Sequence, residues 1–445
     1  MSQPALSRYG RSAATVCLLA FFFLTTWPPI LQENTSYCRD EHDFHYPTIR
    51  MMAARWPAVE LREEFRSATG PLYHFLLAAL PRAVVDNVTA LKLISNLFSL
   101  ALLLLVFREV AKCKVTPWVA LVLVLPMACS QGFQVQAIWL MTDNLAWLFV
   151  FAALFDPLVV EVPSLNRAVG YALWATLATA VRQINLWLSL PVALVSLIRT
   201  PLRRLVPRGL GRAELDGLVP PSWSFAVPAA LGVLGPCAVL AFLYYTWGGL
   251  VSPAFQQLYS GYTFMPFPFA MTLLGLNGLG FATIYWPYLR ILRGAGPAAW
   301  IFPGLVALVA MACPMILSHT NSMGAMRWAV NATPSIRGRS AFVLAFSVAG
   351  AVLMVLFWLR ARELGRVWPL AIFYAGLAAW VVFMCRNPMM YQRYYEVMIC
   401  AALGVLVAKY ARPAGGLWPR LWWAGPLLLS VGHLSFSSLR LLRLI

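Results

Sequence analysis

Apolar residues fill this chain in long runs separated by short polar connectors, with no period-two alternation. The runs predict membrane spans near 12–31, 91–107, 116–130, 134–155, 169–181, 184–198, 224–246, 267–288, 298–318, 341–359, 367–385, 394–409 and 418–436. In hydrocarbon every backbone polar group must find its partner within the spanning structure. Without strand alternation, the spans are helices rather than barrel strands. One stretch breaks the rhythm. Residues 32–90 are polar, contain Pro57, Pro71 and Pro81, and carry only a short amphipathic piece, 72-LYHFLLAALPRAV-84, suited to lying at an interface. The expectation is an all-α integral membrane protein. It is a single polytopic domain over 1–445, with about 11–13 transmembrane helices and a structured first loop over 32–90.

Composition agrees. With 61% hydrophobic and 11% charged residues in 445, the chain lacks the charge to cover a soluble surface. Its net charge of +18 could suggest nucleic acid. However, the bases sit mainly in short inter-helix connectors, as positive-inside sorting produces, so no nucleic-acid partner is expected. The connectors holding Arg108, Lys112 and Lys114, then Arg199, Arg203, Arg204, Arg208 and Arg212, are assigned to the cytosol. So are those holding Arg290 and Arg293, and Arg360, Arg362 and Arg366.

Residues 32–90, 247–266, 319–340 and 386–393 then fall on the lumenal or periplasmic side. That parity requires 169–198 to cross twice, with Arg182-Gln183-Ile184-Asn185 at the turn. Sequons at Asn34, Asn87 and Asn331 share this face, which suits a secretory-pathway membrane. Pro28 and Pro29 end the first run without a small-residue cleavage pattern, so it is expected to act as a signal anchor. The eight cysteines form no CxxC pair and read as small buried hydrophobes.

Ionisable residues are concentrated where the chain is least apolar. Residues 32–90 hold eight of the sixteen Asp and Glu, and 40-DEHDFH-45 packs three carboxylates and two histidines into six positions. Burial beside the membrane raises a carboxyl pKa, which suits Asp40 or Glu41 to general-base work. His42 and His45, three apart, could share a helical face. The plain alternative is a solvated loop; a metal site ranks below both, because no second ligand cluster completes it. Asp143, in 140-LMTDNLAW-147, is either a functional intramembrane carboxylate or a helix-start residue favoured by the dipole. In 181-VRQINLW-187, Arg182 could hold a phosphate bidentately, with Gln183 and Asn185 beside it, or could snorkel at a helix end. Arg386, Arg393, Tyr394 and Glu396 in 386-RNPMMYQRYYE-396, and Arg327, Arg337 and Arg339 in 319–340, put cations on the face where sorting disfavours them. Carboxylates from one loop and arginines from three others are the minimum for transferring a sugar from a polyprenyl phosphate.

These motifs give the chain a resemblance to the integral-membrane glycosyltransferases of the GT-C type. Within them it looks most like the dolichyl-phosphate-glucose α-1,2-glucosyltransferase family, which adds the terminal glucose of the lipid-linked oligosaccharide. The likeness lies in 40-DEHDFH-45 (with His45 one position later than in the family), 69-TGPLY-73, 92-KLISNLFS-99 with lysine for arginine, and 141-MTD-143. It continues in 181-VRQINLW-187, Gly248-Gly249 and Arg393-Tyr394. The family's late Ala-Asp-Asn-Arg-His-Tyr stretch has no counterpart in 319–340, which leaves the acceptor open.

The resemblance implies a GT-C bundle in the endoplasmic reticulum, or in the cytoplasmic membrane if bacterial, with its site on the lumenal or periplasmic side. It implies inverting transfer of a hexose, glucose first, from a polyprenyl- or dolichyl-phosphate sugar to a lipid-linked glycan, with no metal or cofactor. Asp40 would be the base and Glu41 its substitute. His42, His45, Asp143, Arg182, Gln183, Asn185, Arg327, Arg393 and Tyr394 would bind substrate or donor phosphate. A bacterial-type transferase for another envelope glycan, a flippase of lipid-linked sugars and a non-catalytic subunit are the competing readings.

Overall fold

The computed structural model describes residues 6–32, 38–62, 65–160, 162–205, 216, 220–257, 261–313, 322–387, 390–411 and 421–441. Asn34, Arg208 and Arg212 lie outside them. The described chain is helical almost throughout, with two two-stranded pairings.

Helix α1 (Leu6–Leu31) leads to a single π-helical turn over Asp40–His45, which runs into α2 (Tyr46–Ala54). Then come α3 (Leu72–Ala78), α4 (Arg82–Val85) and α5 (Val88–Lys112). The first loop has its own core: Ile49, Met52, Phe65, Tyr73, Leu77 and Val85 are buried together against Leu91 and Trp247. The piece expected along the interface is thus two short helices split at Pro81, with Tyr73, His74 and Leu77 turned into protein. Gly70 makes this docking possible, because a Cβ there would overlap the Ala180 carbonyl at the end of a later helix. Asn87, the second sequon, caps α5 by accepting the Ala90 N–H at 3.0 Å.

Two predicted spans are broken. Helix α6 (Pro117–Cys129) turns by 71° into α7 (Gln131–Ile138). Ser130 adopts an extended backbone and its hydroxyl accepts the Phe133 N–H, starting a new helix. The chain is then non-helical until α8 (Asp143–Val160), so the span expected over 134–155 is not one helix. Such backbone is tolerated because it is buried in protein, and the freed Leu140 N–H is taken up by Glu41 at 2.8 Å. Helix α9 (Leu165–Val181), a 3-10 segment over Gln183–Leu188 and α10 (Ser189–Leu197) form a helical hairpin where the double crossing is expected, each leg shorter than the helices long enough to span. Arg199, past its end, donates to the carbonyl of Pro163, before its start, at 3.0 Å, so the two legs run back alongside each other.

The second half comprises α11 (Ala226–Trp247), α12 (Pro266–Leu279), α13 (Ala282–Tyr285), α14 (Arg290–Arg293), α15 (Ile301–Ala312), α16 (Ala325–Ala332), α17 (Ala341–Glu363), α18 (Val367–Met384), α19 (Arg393–Tyr410) and α20 (Ala424–Leu441). The span expected over 267–288 bends by 70° after α12, where Gly278 and Gly280 flank Leu279. Helices α12 and α17 approach backbone to backbone: a Cβ on Gly275 or Gly350 would overlap the Phe346 or Met271 carbonyl. Short strands Ser322–Met323 and Met390–Tyr391 pair in parallel. Ser335–Ile336 and Arg339–Ser340 form a hairpin whose two turn residues, Arg337 and Gly338, both have positive φ.

Six helices among the described residues are long and apolar enough to cross a membrane, or eight if each bent pair is one span. This is a multi-pass, all-helical membrane architecture. Helix α19 is fully helical but carries Arg393, Glu396 and Lys409, and nearly all of it is buried, so its charges face protein rather than lipid. The cysteines are free, and only Cys129, Cys385 and Cys400 are buried. Cys17 and Cys237 are exposed on helix surfaces, against the expectation for such residues.

Candidate functional site

The π-helical turn, the start of α8, the end of α9 and the start of α19 meet at one end of the bundle. Each brings one charge. Asp40 Oδ2 lies 2.5 Å from Arg393 Nη2 across 353 residues. Arg182 is ion-paired with Asp143, both side chains being mostly buried. Tyr394 joins the two pairs, its ring 4.9 Å from the Arg182 guanidinium and 5.2 Å from that of Arg393. Two of the carboxylates and two of the arginines proposed from sequence thus form one continuous cluster. Arg182, Asp143, Asn185, Tyr394, Trp380 and Met384 border a cavity of about 20 Å³, room for about one water.

The electrostatics are balanced. Burial raises the Asp40 pKa, but the charge and hydrogen bond of Arg393, with His45 and Arg182, outweigh it and hold the carboxyl below its ordinary value. The Nε–H of Arg393 is buried with no acceptor. Behind it, Glu396 is fully buried and accepts from the Gly132 N–H (2.9 Å) and Gln392 Nε2 (2.7 Å), with His433 Nδ1 at 3.2 Å. Gln392 Oε1 accepts the Met326 N–H at 2.9 Å. This buried carboxylate fixes the first turn of α19 and therefore the direction of Arg393.

The other proposed residues are engaged in contacts within the fold. Glu41, the substitute base, is wholly buried and 2.7 Å from Lys92 Nζ, in an ion contact rather than a directed hydrogen bond. It joins the first loop to α5 and to the 139–142 break. His42 and His45 do not share a face: the wide π turn leaves the His42 side chain 47% exposed and His45 buried, with His45 Nδ1 3.0 Å from His74 Nε2. Gln183 donates to the Ala68 carbonyl at 2.7 Å, and Asn185 to that of Ala178 at 3.2 Å. Arg327 stacks on Trp328 at 5.5 Å. Among the described residues no three His, Cys, Asp or Glu side chains gather as metal ligands would.

Sequence reasoning gave Lys92 and His74 no role of their own. Lys92 had a signal: Lys92, Ser95, Asn96 and Ser99 follow the i, i+3, i+4, i+7 spacing of one helix face in an apolar run. That face points inward. Ser95 meets the Tyr73 hydroxyl (2.9 Å), Asn96 donates to the Ala137 carbonyl (2.8 Å), and Ser99 accepts from Asn144 (2.7 Å).

The His45–His74 contact should make the first loop acid-labile. Burial, opposed by Asp40, lowers the His45 pKa to about 4, and burial also lowers that of His74. A depressed folded-state pKa means that stability is full above the unfolded value near 6.5 and falls as pH drops toward 4. For His45 the loss is about 3 kcal/mol. Hydrogen exchange over residues 40–54, corrected for intrinsic rates, should lose about two orders of magnitude of protection between pH 7 and pH 4. Protection independent of pH would refute a neutral buried imidazole pair.

No family model, curated protein or solved structure matches this chain.

Proposed function

We propose that this protein is a GT-C-type glycosyltransferase. It would move a hexose, glucose first, from a polyprenyl-phosphate donor to a lipid-linked glycan, with inversion at the anomeric carbon. The bundle would hold the full set of about 11–13 spans in the endoplasmic reticulum or a bacterial cytoplasmic membrane, its site on the lumenal or periplasmic side. The observation that carries this reading is the Asp40–Arg393 ion pair set beside Arg182–Asp143, four charges from four distant segments around one tyrosine.

In the transfer, the acceptor hydroxyl gives its proton to Asp40, its oxygen bonds to the anomeric carbon, and the carbon–phosphate-oxygen bond breaks. Arg393 and Arg182 balance the charge gathering on the departing polyprenyl phosphate. Paired with Arg393, Asp40 is a poor base. Donor phosphate competing for that guanidinium, through its unused Nε–H among others, frees the carboxylate and raises its proton affinity by like-charge proximity. Base activation is thereby linked to donor binding. A sugar does not fit the water-sized cavity, so the same exchange must open the contact between the π turn and α19.

A path for the lipid chain supports the reading. Helix α18 turns Trp380 and Met384 toward the charged cluster, while Val381 and Val382 line a second cavity of about 780 Å³. That cavity runs between α12, α15, α17 and α18 past Phe302, Met354 and Trp358 to Arg362 at the opposite end. A polyprenyl chain would lie along it with its phosphate near Arg393.

The test is incubation of purified protein with labelled dolichyl-phosphate glucose and a lipid-linked oligosaccharide lacking one glucose. A product one hexose larger supports the proposal, and none with any hexosyl donor rejects it. Arg393→Ala should raise the donor KM about tenfold or more, since a charge-assisted contact to phosphate is lost. An unchanged KM would remove Arg393 from that role. The two bends of about 70° favour one other reading, transport of a lipid-linked sugar, since broken helices also build transporter sites. Transport would move the labelled donor across a vesicle bilayer without a new glycosidic bond.

A further inference from the structure

At the far end of α8 a second polar cluster takes no part in the site above. Asp156 lies thirteen residues past Asp143 on that helix, ~20 Å away along the axis. Lys112 Nζ is 2.6 Å from Asp156 Oδ1 and 2.8 Å from Glu109 Oε1; Arg108 is 2.9 Å from Glu109 and Arg167 3.4 Å from Asp156. The Tyr171 hydroxyl donates to Asp156 at 2.5 Å.

These charges are sorted by depth. The carboxylate side chains of Glu109 and Asp156 are 0% and 11% exposed, whereas Arg108, Lys112 and Arg167 are 62%, 29% and 46% exposed. Among the described side chains that line or pair at this cluster, three cations face two carboxylates, and the outward surface is cationic because the acids lie beneath it. Lys112 touches both carboxylates, and Arg108 and Arg167 each reach one of them from the more exposed side.

Below the charges is an apolar cleft. A cavity of about 520 Å³ lies between α5, α8 and α9, with Arg108, Lys112 and Arg167 at its mouth and Leu105, Phe149 and Trp174 deeper. The Phe149 and Trp174 rings stack at 5.6 Å and form one wall. Lys112 to Leu105, and Asp156 to Phe149, are each seven residues of helix, so the apolar depth below the charges is ~10 Å. Gly170 keeps the cleft open, since a Cβ there would meet only Trp174 Nε1, at 3.9 Å.

A cationic mouth over a half-exposed apolar cleft, at the end of membrane helices, matches an anionic headgroup carried on acyl chains. We propose that the cleft between α5, α8 and α9 binds an anionic phospholipid, with its phosphate at Arg108 and Arg167 and its upper acyl chain against Phe149 and Trp174. A soluble anion would use the mouth but gain nothing from the aromatic wall; a zwitterionic lipid would use the wall but not the excess charge. The site is independent of the proposed transfer reaction.

The test uses the full chain, purified in mild detergent, with native mass spectrometry counting bound dioleoyl-phosphatidylglycerol against dioleoyl-phosphatidylcholine. At about one kilocalorie for each of the two arginines, wild type should retain the anionic lipid about thirtyfold better. The pair Arg108→Gln and Arg167→Gln should abolish that preference. Gly170→Trp fills the cleft without changing charge and should lower retention of phosphatidylglycerol about as far. Arg11→Gln, which removes one cation at the same end on α1, should leave it intact. Equal retention of the two lipids by wild type would overturn the proposal, as would undiminished preference in either cleft variant. So would loss of preference in Arg11→Gln, or displacement of phosphatidylglycerol by equimolar inorganic phosphate.

Discussion

Asp40→Asn should lower the turnover of sugar transfer by about three orders of magnitude, the range expected when a positioned general base is removed. The amide keeps the size of the carboxylate and can still accept from Arg393, so the π turn retains its shape. The informative readout is donor affinity. Asp40 occupies the guanidinium that would bind phosphate, and a neutral amide competes less well for it. The variant should therefore bind polyprenyl-phosphate sugar as tightly as wild type or more so while failing to turn it over. A purely structural Asp40 would instead lose binding and thermal stability together. Turnover within tenfold of wild type would eliminate it as the base.

Much of this site could be read from the sequence because its charges are costly. A carboxylate or guanidinium at the edge of hydrocarbon persists only with a partner, so each one in an apolar chain points toward another. Asp40, Asp143, Arg182 and Arg393 were found that way, although nothing in the sequence says that Asp40 pairs with Arg393 and Asp143 with Arg182. Pairing is a property of helix packing, set by contacts such as Gly132 against the first turn of α19, where a Cβ would come within 3.1 Å of the Arg393 Cα. Glu41 shows the limit of the same logic. Its neighbour Asp40 faces Arg393, while the turn carries Glu41 to Lys92, and adjacent acids in a polar stretch do not reveal which faces the site.

Span boundaries failed for a related reason. Hydropathy averages over a window: it ends one span at 130, where Ser130 starts a new helix, but runs the next straight through the 139–142 break. The breaks at 130 and 139–142 are tolerated because protein, Glu41 included, supplies hydrogen-bond partners that lipid cannot. A carboxylate 99 positions earlier therefore accompanies the break, and no local pattern registers it.

Removing one member of the Arg182–Asp143 pair should be the most destabilising single change in the cluster. The Asp143 side chain is 5% exposed and its counter-charge comes from Arg182 alone among the ion pairs seen there. Arg182→Leu leaves that carboxylate buried without compensation, at a cost of about 3–5 kcal/mol; Asp143→Leu strands the guanidinium at comparable cost. The double variant removes both charges together and should recover most of the stability, because two leucines pack where neither ion needs solvation. Thermal unfolding midpoints of the four proteins in detergent measure this directly. Activity separates the two roles of Arg182. If it balances charge on the leaving phosphate as well as on Asp143, the double variant folds normally yet transfers sugar at least a hundredfold more slowly than wild type. If it only secures a helix end, stability and turnover return together. The second pattern would leave Arg393 as the phosphate ligand and reduce Arg182 to a support for the Tyr394 ring, 4.9 Å from its guanidinium.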